Sequence, residues 1–213
     1  MSVIVKFNGI KSGIADSKCM LLEDIYDLSS STPSFVKYKN DSSYIIFCRQ
    51  PGLPPVVNGK ANYPGSTFSV NPSTGQIIGL NPFAPPPIIY IYRGIRAGDN
   101  SGSGPVCNIY NGKHELFYTS RKTPLQIERI NKLDTNKMMN PFENYVVRTD
   151  AHKLMVFCGV LASYASSFFR ELNVATVWGN GHMAIGSVGF AGGDGSAASI
   201  YTDVAITAYA PDL

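Results

Sequence analysis

Apolar and polar residues alternate along this chain in short stretches, and turn residues separate one stretch from the next. In Thr67–Val70, Phe68 and Val70 share one face. Between Cys107 and Tyr118, Ile109 and Tyr110 fall on opposite sides, and so do Leu116 and Phe117. A period of two is the pattern of a half-buried strand. Apolar runs bounded by turn residues make further strand candidates of Val3–Phe7, Tyr44–Cys48, Ile77–Leu80, Ile88–Tyr92, Val174–Trp178, Met183–Phe190 and Ile200–Tyr209. The triplet Pro85-Pro86-Pro87 cannot donate ladder hydrogen bonds, so it marks the entrance to the Ile88 strand. Asn-Gly pairs occur at Asn8-Gly9, Asn58-Gly59, Asn111-Gly112 and Asn180-Gly181. Both residue types tolerate positive φ, so these pairs predict two-residue type I′ hairpin turns. The flanks support Asn8-Gly9 and Asn111-Gly112 most clearly.

Two segments break the alternation. Leu154–Ala162 is apolar at odd and even positions alike. That fits a strand buried on both faces and leaves a buried helix open over 154–170. Ile127, Ile130 and Leu133 recur every three residues within Ile127–Lys137, which predicts one or two amphipathic helical turns, and Ser166–Asn173 is a second helical option. Short strands joined by turn chemistry predict an all-β fold built of β-sandwich-type domains. The stretch Gly94–Pro105 holds four glycines and two serines and no aromatic residue. It predicts a Gly/Ser-rich linker or exposed loop over 95–105, dividing an N-terminal β domain (1–94) from a C-terminal one (106–213).

Composition sharpens this picture. Charged residues are 15% of the 213, against about 25% in an average domain. Glycine and proline together number 34, above the usual share of about 12%. The net charge of +3 is not gathered into a basic stripe, so a nucleic-acid partner is not expected. The uncharged run Leu154–Phe169 has 16 residues, below the roughly 18 of a spanning helix, and no membrane span is expected. The N-terminal residues lack an apolar core of the signal-peptide kind. Cys19, Cys48, Cys107 and Cys158 are widely spaced, which predicts four free thiols, mostly buried, in a chain made in a reducing cytoplasm.

Candidate chemistry is sparse. His114 follows a hairpin turn and reads as a surface strand position. Asp150-Ala151-His152 puts a carboxylate and an imidazole on one strand face but specifies no nucleophile. Cys158 lies in an apolar run, where thiols are usually inert. None of the nucleophile-elbow, zinc-protease or phosphate-loop motifs is present. No catalytic residue, cofactor or metal is therefore expected, and the chain does not read as an enzyme. The run Gly192-Gly193-Asp194-Gly195 resembles one copy of a calcium-binding glycine-rich repeat, but a single copy reads better as a tight loop. Trp178, Asn180 and His182 form a candidate binding group, because an aromatic face stacks on a sugar ring and amides bond its hydroxyls. Packing of Trp178 in the core is the competing reading.

The last fifth is unusual. Residues 172–213 carry three charged side chains, Asp194, Asp203 and Asp212, with seven glycines and eight alanines. Charge depletion of this kind marks either an interface core or the central sheet of the monomer. The run Cys107–Ile127 completes the reading. An apolar strand with an aromatic (Ile109, Tyr110) is followed by Asn111-Gly112, then a strand with Leu116 and Phe117, then Ser120, Arg121, Pro124, Leu125 and Ile127. This run resembles a pattern of bacteriophage tail-associated proteins. It departs from that pattern in carrying Tyr118-Thr119 where an acidic residue often precedes the serine. The resemblance implies a structural protein of the virion, at the tail tip or tail fibre. Such a protein would be assembled in the host cytoplasm as a homo-oligomer with other tail proteins, with host-surface receptor or glycan contact. A carbohydrate-binding lectin-like module and a glycan hydrolase are the alternatives.

Overall fold

The computed structural model describes residues 19–28, 44–70, 74, 77–80, 85–110, 112–138, 145–165, 169–191 and 197–212. In chain order the strands begin with β1 (Met20–Asp27), β2 (Tyr44–Arg49), β3 (Val56–Val57), β4 (Lys60–Ala61), β5 (Thr67–Val70) and β6 (Ile77–Leu80). They continue with β7 (Ile88–Gly94), β8 (Asn108–Tyr110), β9 (Leu116–Thr119) and β10 (Ile127–Lys132). After the short helix α1 (Thr135–Met138) come β11 (Tyr145–Arg148), β12 (Leu154–Phe157), β13 (Val160–Ala165), β14 (Phe169–Val177), β15 (Met183–Ala191), β16 (Ala197–Ile200) and β17 (Val204–Tyr209). The fold is all-β, as the alternation predicts. The Val3–Phe7 strand, the Asn8-Gly9 turn and the Gly192–Gly195 loop lie outside the described residues.

Two sheets stack as a β-sandwich. One has six strands in the order β1-β7-β2-β12-β17-β10, the other five in the order β11-β15-β14-β13-β16. The core between them joins Ile46, Cys48, Ile89, Ile91, Leu154 and Val156 of the first to Leu161, Ala175, Val177, Met183 and Ile185 of the second. Each fully buried Ile, Leu, Val or Met among them stabilises by about 1.5–3 kcal/mol. Strands β7 and β12 are also buried on their other face. There Tyr90, Tyr92, Phe47, Met155 and Ala208 form a separate cluster, so β7 reads as a continuous apolar run rather than an alternating one.

The boundary at 95–105 does not divide the strands. In the six-stranded sheet β12 pairs with β2, Val156 opposite Cys48 and Phe157 opposite Phe47. Strands from both sides of the loop thus share one sheet and one core. A glycine-rich stretch reports local chain freedom, whereas strand partners are chosen by long-range packing.

Other expectations are resolved or corrected. The apolar run at 154–162 is strand, broken at Cys158-Gly159 into β12 and β13, which belong to different sheets. The helical spacing at Ile127–Lys137 resolves into strand β10 followed by the four-residue α1. Pairing with β17, which sets Ile130 opposite Ile206, outweighs a marginal amphipathic pattern, because an isolated short helix is unstable in water. The strand within Met20–Asp27 escapes sequence reading because a bulge between Leu22 and Asp24 shifts its period. All four cysteines are unpaired, but only Cys48 and Cys158 are buried; Cys19 is half-buried and Cys107 exposed. Burial, then the neighbouring Cys48 thiol, pushes Cys158 well above its ordinary pKa.

Candidate functional site

Asn-Gly pairs do not all make the same turn. Asn58-Gly59 is the two-residue loop between β3 and β4, with φ of 51° and 75°, as a type I′ turn requires. At Trp178–His182 only Gly181 has positive φ, 79°, and its N–H bonds to the Trp178 carbonyl at 2.9 Å. The Trp178 N–H also bonds to the His182 carbonyl at 2.8 Å, closing a three-residue loop. In the β8–β9 hairpin the loop is longer than two residues, since Leu116 pairs with Tyr110. Asn111 lies outside the described residues; among the rest of the loop the left-handed residue is His114, at φ 60°, and not Gly112. Histidine occupies this region more readily than most residues, but for any non-glycine residue it is uncommon.

The predicted group Trp178, Asn180 and His182 is brought together, but as a packed corner. Trp178 has no exposed surface, and its indole N–H bonds to Thr176 Oγ1 at 2.8 Å. Tyr63 lies edge-on to it, ring centres 6.0 Å apart, and bonds through its hydroxyl to His182 Nδ1 at 2.7 Å. Asn180 Oδ1 accepts the His182 backbone N–H at 3.1 Å. Glycines let the chain after β2 lie directly on this corner: a Cβ on Gly186 would come 1.8 Å from the Tyr63 carbonyl oxygen, and one on Gly179 2.1 Å from that of Pro51. The indole therefore offers no face for a sugar. The competing reading, a core tryptophan beside a hairpin, is the one realised.

An open cleft lies elsewhere, between the 95–105 loop and the β8–β9 hairpin. Its volume is about 410 Å3, within the range of small-molecule sites. Arg96, Asn100, Tyr110, His114 and Glu115 line it above an apolar floor that includes Ile95 and Leu116. Two arginines hold its loop wall. Arg93, nearly buried at the end of β7, grips Asp99 with two hydrogen bonds of 2.7 and 2.8 Å and Glu23 with one of 2.8 Å. Lys122 adds a contact to Glu23 at 3.0 Å. The Arg93 hydrogen bonds hold the Asp99 carboxyl at about 2. Burial alone would raise the Glu23 carboxyl, but Lys122 and Arg93 outweigh it and the net shift is downward.

Arg121 completes the wall. Its guanidinium donates to the carbonyls of Asn100, Gly102, Ser103 and Gly104 at 2.8–3.3 Å. Gly98, Gly102 and Gly104 all have positive φ, which turns those carbonyls toward one point. The 95–105 stretch is thus an exposed loop, as one of the two readings expects, but a fastened one rather than a linker. Asn100 Nδ2 then donates to Tyr110 Oη at 3.0 Å, joining the loop wall to the hairpin wall.

Sequence reasoning named His114 only as a surface position and missed Arg96, Asn100, Tyr110 and Glu115. The one signal for them was the mixture of ionic and amide residues flanking the glycine run. Among the described residues no cluster of three histidine, cysteine or acidic side chains could hold a metal, and no helix is long and apolar enough to cross a membrane.

A second surface feature is the edge of the five-stranded sheet. Residues 172–186 owe their lack of charge to the monomer's own core, since Asn173–Trp178 and Met183–Gly186 are buried. Strand β16 is different: residues 198–200 are exposed, followed by exposed Tyr201. Among the described residues, three of the four edges of the two sandwich sheets carry charge: Glu23, Asp24 and Asp27 on β1, Glu128, Arg129 and Lys132 on β10, and Arg148 on β11. Strand β16, with sequence AASI, carries none. Among the described residues nothing pairs with its outer side, and an edge of this kind is a template for pairing with another chain.

Fold and site together define, among the described residues, an all-β sandwich protein with a fastened surface cleft and an uncharged edge strand, β16, on its five-stranded sheet. No protein-family model matches the chain, and no curated protein or solved structure is significantly similar to it.

Proposed function

We propose that the chain is a structural protein of a bacteriophage tail, at the tip or fibre. It works by assembling with copies of itself and with other tail proteins, and by contact with the host surface. The observation that carries this reading is the uncharged, exposed edge strand β16. Among the described residues the three other edges of the two sandwich sheets carry charge, as natural sheet edges generally do, and an edge without charge suits pairing with another strand. The likeness of Cys107–Ile127 to the tail-protein pattern supplies the kind of assembly, and cyclic closure of identical copies supplies its form. A reading as a glycan hydrolase has less support: among the described residues lining the cleft Glu115 is the one carboxylate, and the usual mechanism needs a pair.

Sedimentation velocity tests the assembly. The intact chain is expected to run as a closed oligomer, and Ala198→Lys with Ile200→Lys to run as a folded monomer. A wild-type protein that stays monomeric at its highest soluble concentration overturns the reading.

A further inference from the structure

We propose that the β3–β4 hairpin is an assembly arm, and that it seats on a second copy of this chain against that copy's β16 edge. The inference rests on the assembly reading above and names the surface that meets β16.

The arm, residues 51–61, stands outside both sandwich sheets as a two-stranded ribbon of its own. Ten of its eleven residues are exposed. Leu53, Val56 and Val57 are 72%, 70% and 52% exposed, so three bare aliphatic side chains fall within one short stretch. A lone exposed aliphatic is ordinary, but a group of them marks a contact surface. The ribbon is also stiff. Pro51, Pro54 and Pro55 fix φ along its first limb, and the Asn58-Gly59 turn closes its tip. At its base the Asn62 N–H donates to the Pro55 carbonyl at 2.8 Å. Little freedom is then lost on docking.

Topology sends the arm to another molecule. The Gly179 N–H donates to the Gly52 carbonyl at 2.9 Å, which roots the arm at the Trp178 end of β14. Strand β16 lies toward the other end of that sheet: across β13, Ile200 stands in line with Asn173 and Ala197 with Arg170. From Asn173 to Trp178 is about 16 Å of strand, at about 3.3 Å per residue. The bare side chains of the arm show that it does not rest on its own edge.

Size and charge favour a second copy as the occupant. A stable interface takes about 20–30 residues from each partner, and β16 has four. Pairing at β16 therefore needs further uncharged surface, which the arm supplies. The other sandwich edges would set the charges of β1, β10 or β11 against an edge that has none, at a cost in desolvation. From Leu53 to Gly59 the arm has no ionic side chain. A lipid surface suits it less, because residues 51–61 hold one lysine and no aromatic residue, whereas interfacial segments use several cations and aromatic rings. Arm and edge are different surfaces, so the contact is heterologous, and a ring of copies satisfies every one of them.

Sedimentation velocity of two variants, alone and mixed, tests the inference. Leu53→Lys with Val56→Lys blocks the arm, and Ala198→Lys with Ile200→Lys blocks the edge. All four positions are exposed, so melting temperatures should match the wild type. Each variant alone is expected at the sedimentation coefficient of a monomer. An equal mixture is expected to form a one-to-one dimer and nothing larger, because one intact arm then meets one intact edge. An arm variant that assembles like the wild type overturns the inference and leaves the assembly reading standing, with β16 paired to itself or to another surface. A mixture that stays monomeric at its highest soluble concentration also overturns it. A wild type that is itself monomeric removes both readings, and flotation of that monomer with phosphatidylserine vesicles, lost in the arm variant, would give the arm to a lipid surface instead.

Discussion

Two five-residue stretches of this protein share a plan and end in opposite environments. Tyr110-Asn111-Gly112-Lys113-His114 and Trp178-Gly179-Asn180-Gly181-His182 each run from an aromatic residue through an Asn-Gly pair to a histidine. Trp178 has no exposed surface, whereas Tyr110 is 48% exposed. What differs is the chain laid over them. Gly179 and Gly186 admit backbone at a distance no side chain would allow, so the segment after β2 closes down on Trp178. Around Tyr110 the approaching loop is held off by its own fastening: Arg121 collects the loop's carbonyls, and Arg93 holds Asp99. Glycine serves close approach in the first case and left-handed turns in the second. A local motif therefore says little about whether its aromatic ring will be packed or left open.

The comparison can be broken most easily at the buried ring. Trp178→Ala should cost about 3–5 kcal/mol, the range for removing a large buried aromatic, read as a shift in the urea midpoint. A loss under about 1 kcal/mol would mean the corner is not packed as described.

Acid should act on the cleft wall next. Asp99 in the folded chain titrates at about 2, held down by Arg93, while an unfolded aspartate titrates near 3.9. The folded value is the lower one, so this stabilisation is complete above the unfolded value and is lost as pH falls from about 4 through about 2. Hydrogen exchange at residues 96–104 should quicken across that window while the Trp178 corner is unaffected. Asp99→Asn should show the quickening already at neutral pH.

The smallest effect should come from Tyr110. Its replacement by alanine should change stability by less than about 0.5 kcal/mol, as for surface positions away from caps and cores. A larger loss in thermal melting would place Tyr110 in the framework rather than on an open cleft wall.

Strand existence was legible where one face is wet or where a turn sets the ends. Thr67–Val70 falls where its alternation puts it, Ile77–Leu80 where the preceding turn residues put it, and Ile88 opens β7 directly after the proline triplet. Strand β1 was not legible, because its bulge hides the period, and β10 carried spacing that also suits a helix. Of the site, His114 was noticed and set aside. Arg96, Asn100 and Glu115 had no pattern to mark them, since a cleft lined from two separate segments leaves no spacing rule in either. The charge-poor final fifth was visible from composition alone, yet that composition suits a buried central sheet and a bare edge equally. The structure assigns residues 173–186 largely to the first and residues 198–200 to the second.

Period, turn chemistry and composition, all properties of neighbouring residues, determined that this chain would fold into short strands with a glycine-rich loop and little surface charge. Partners, layers and exposure were decided only in three dimensions: that β2 pairs with β12 across the loop, that Trp178 is sealed, that Tyr110 opens on a cleft. The reason is physical. Strand propensity acts over a few residues, but which face is buried depends on side chains brought together from far along the chain, and their packing energy exceeds any local preference.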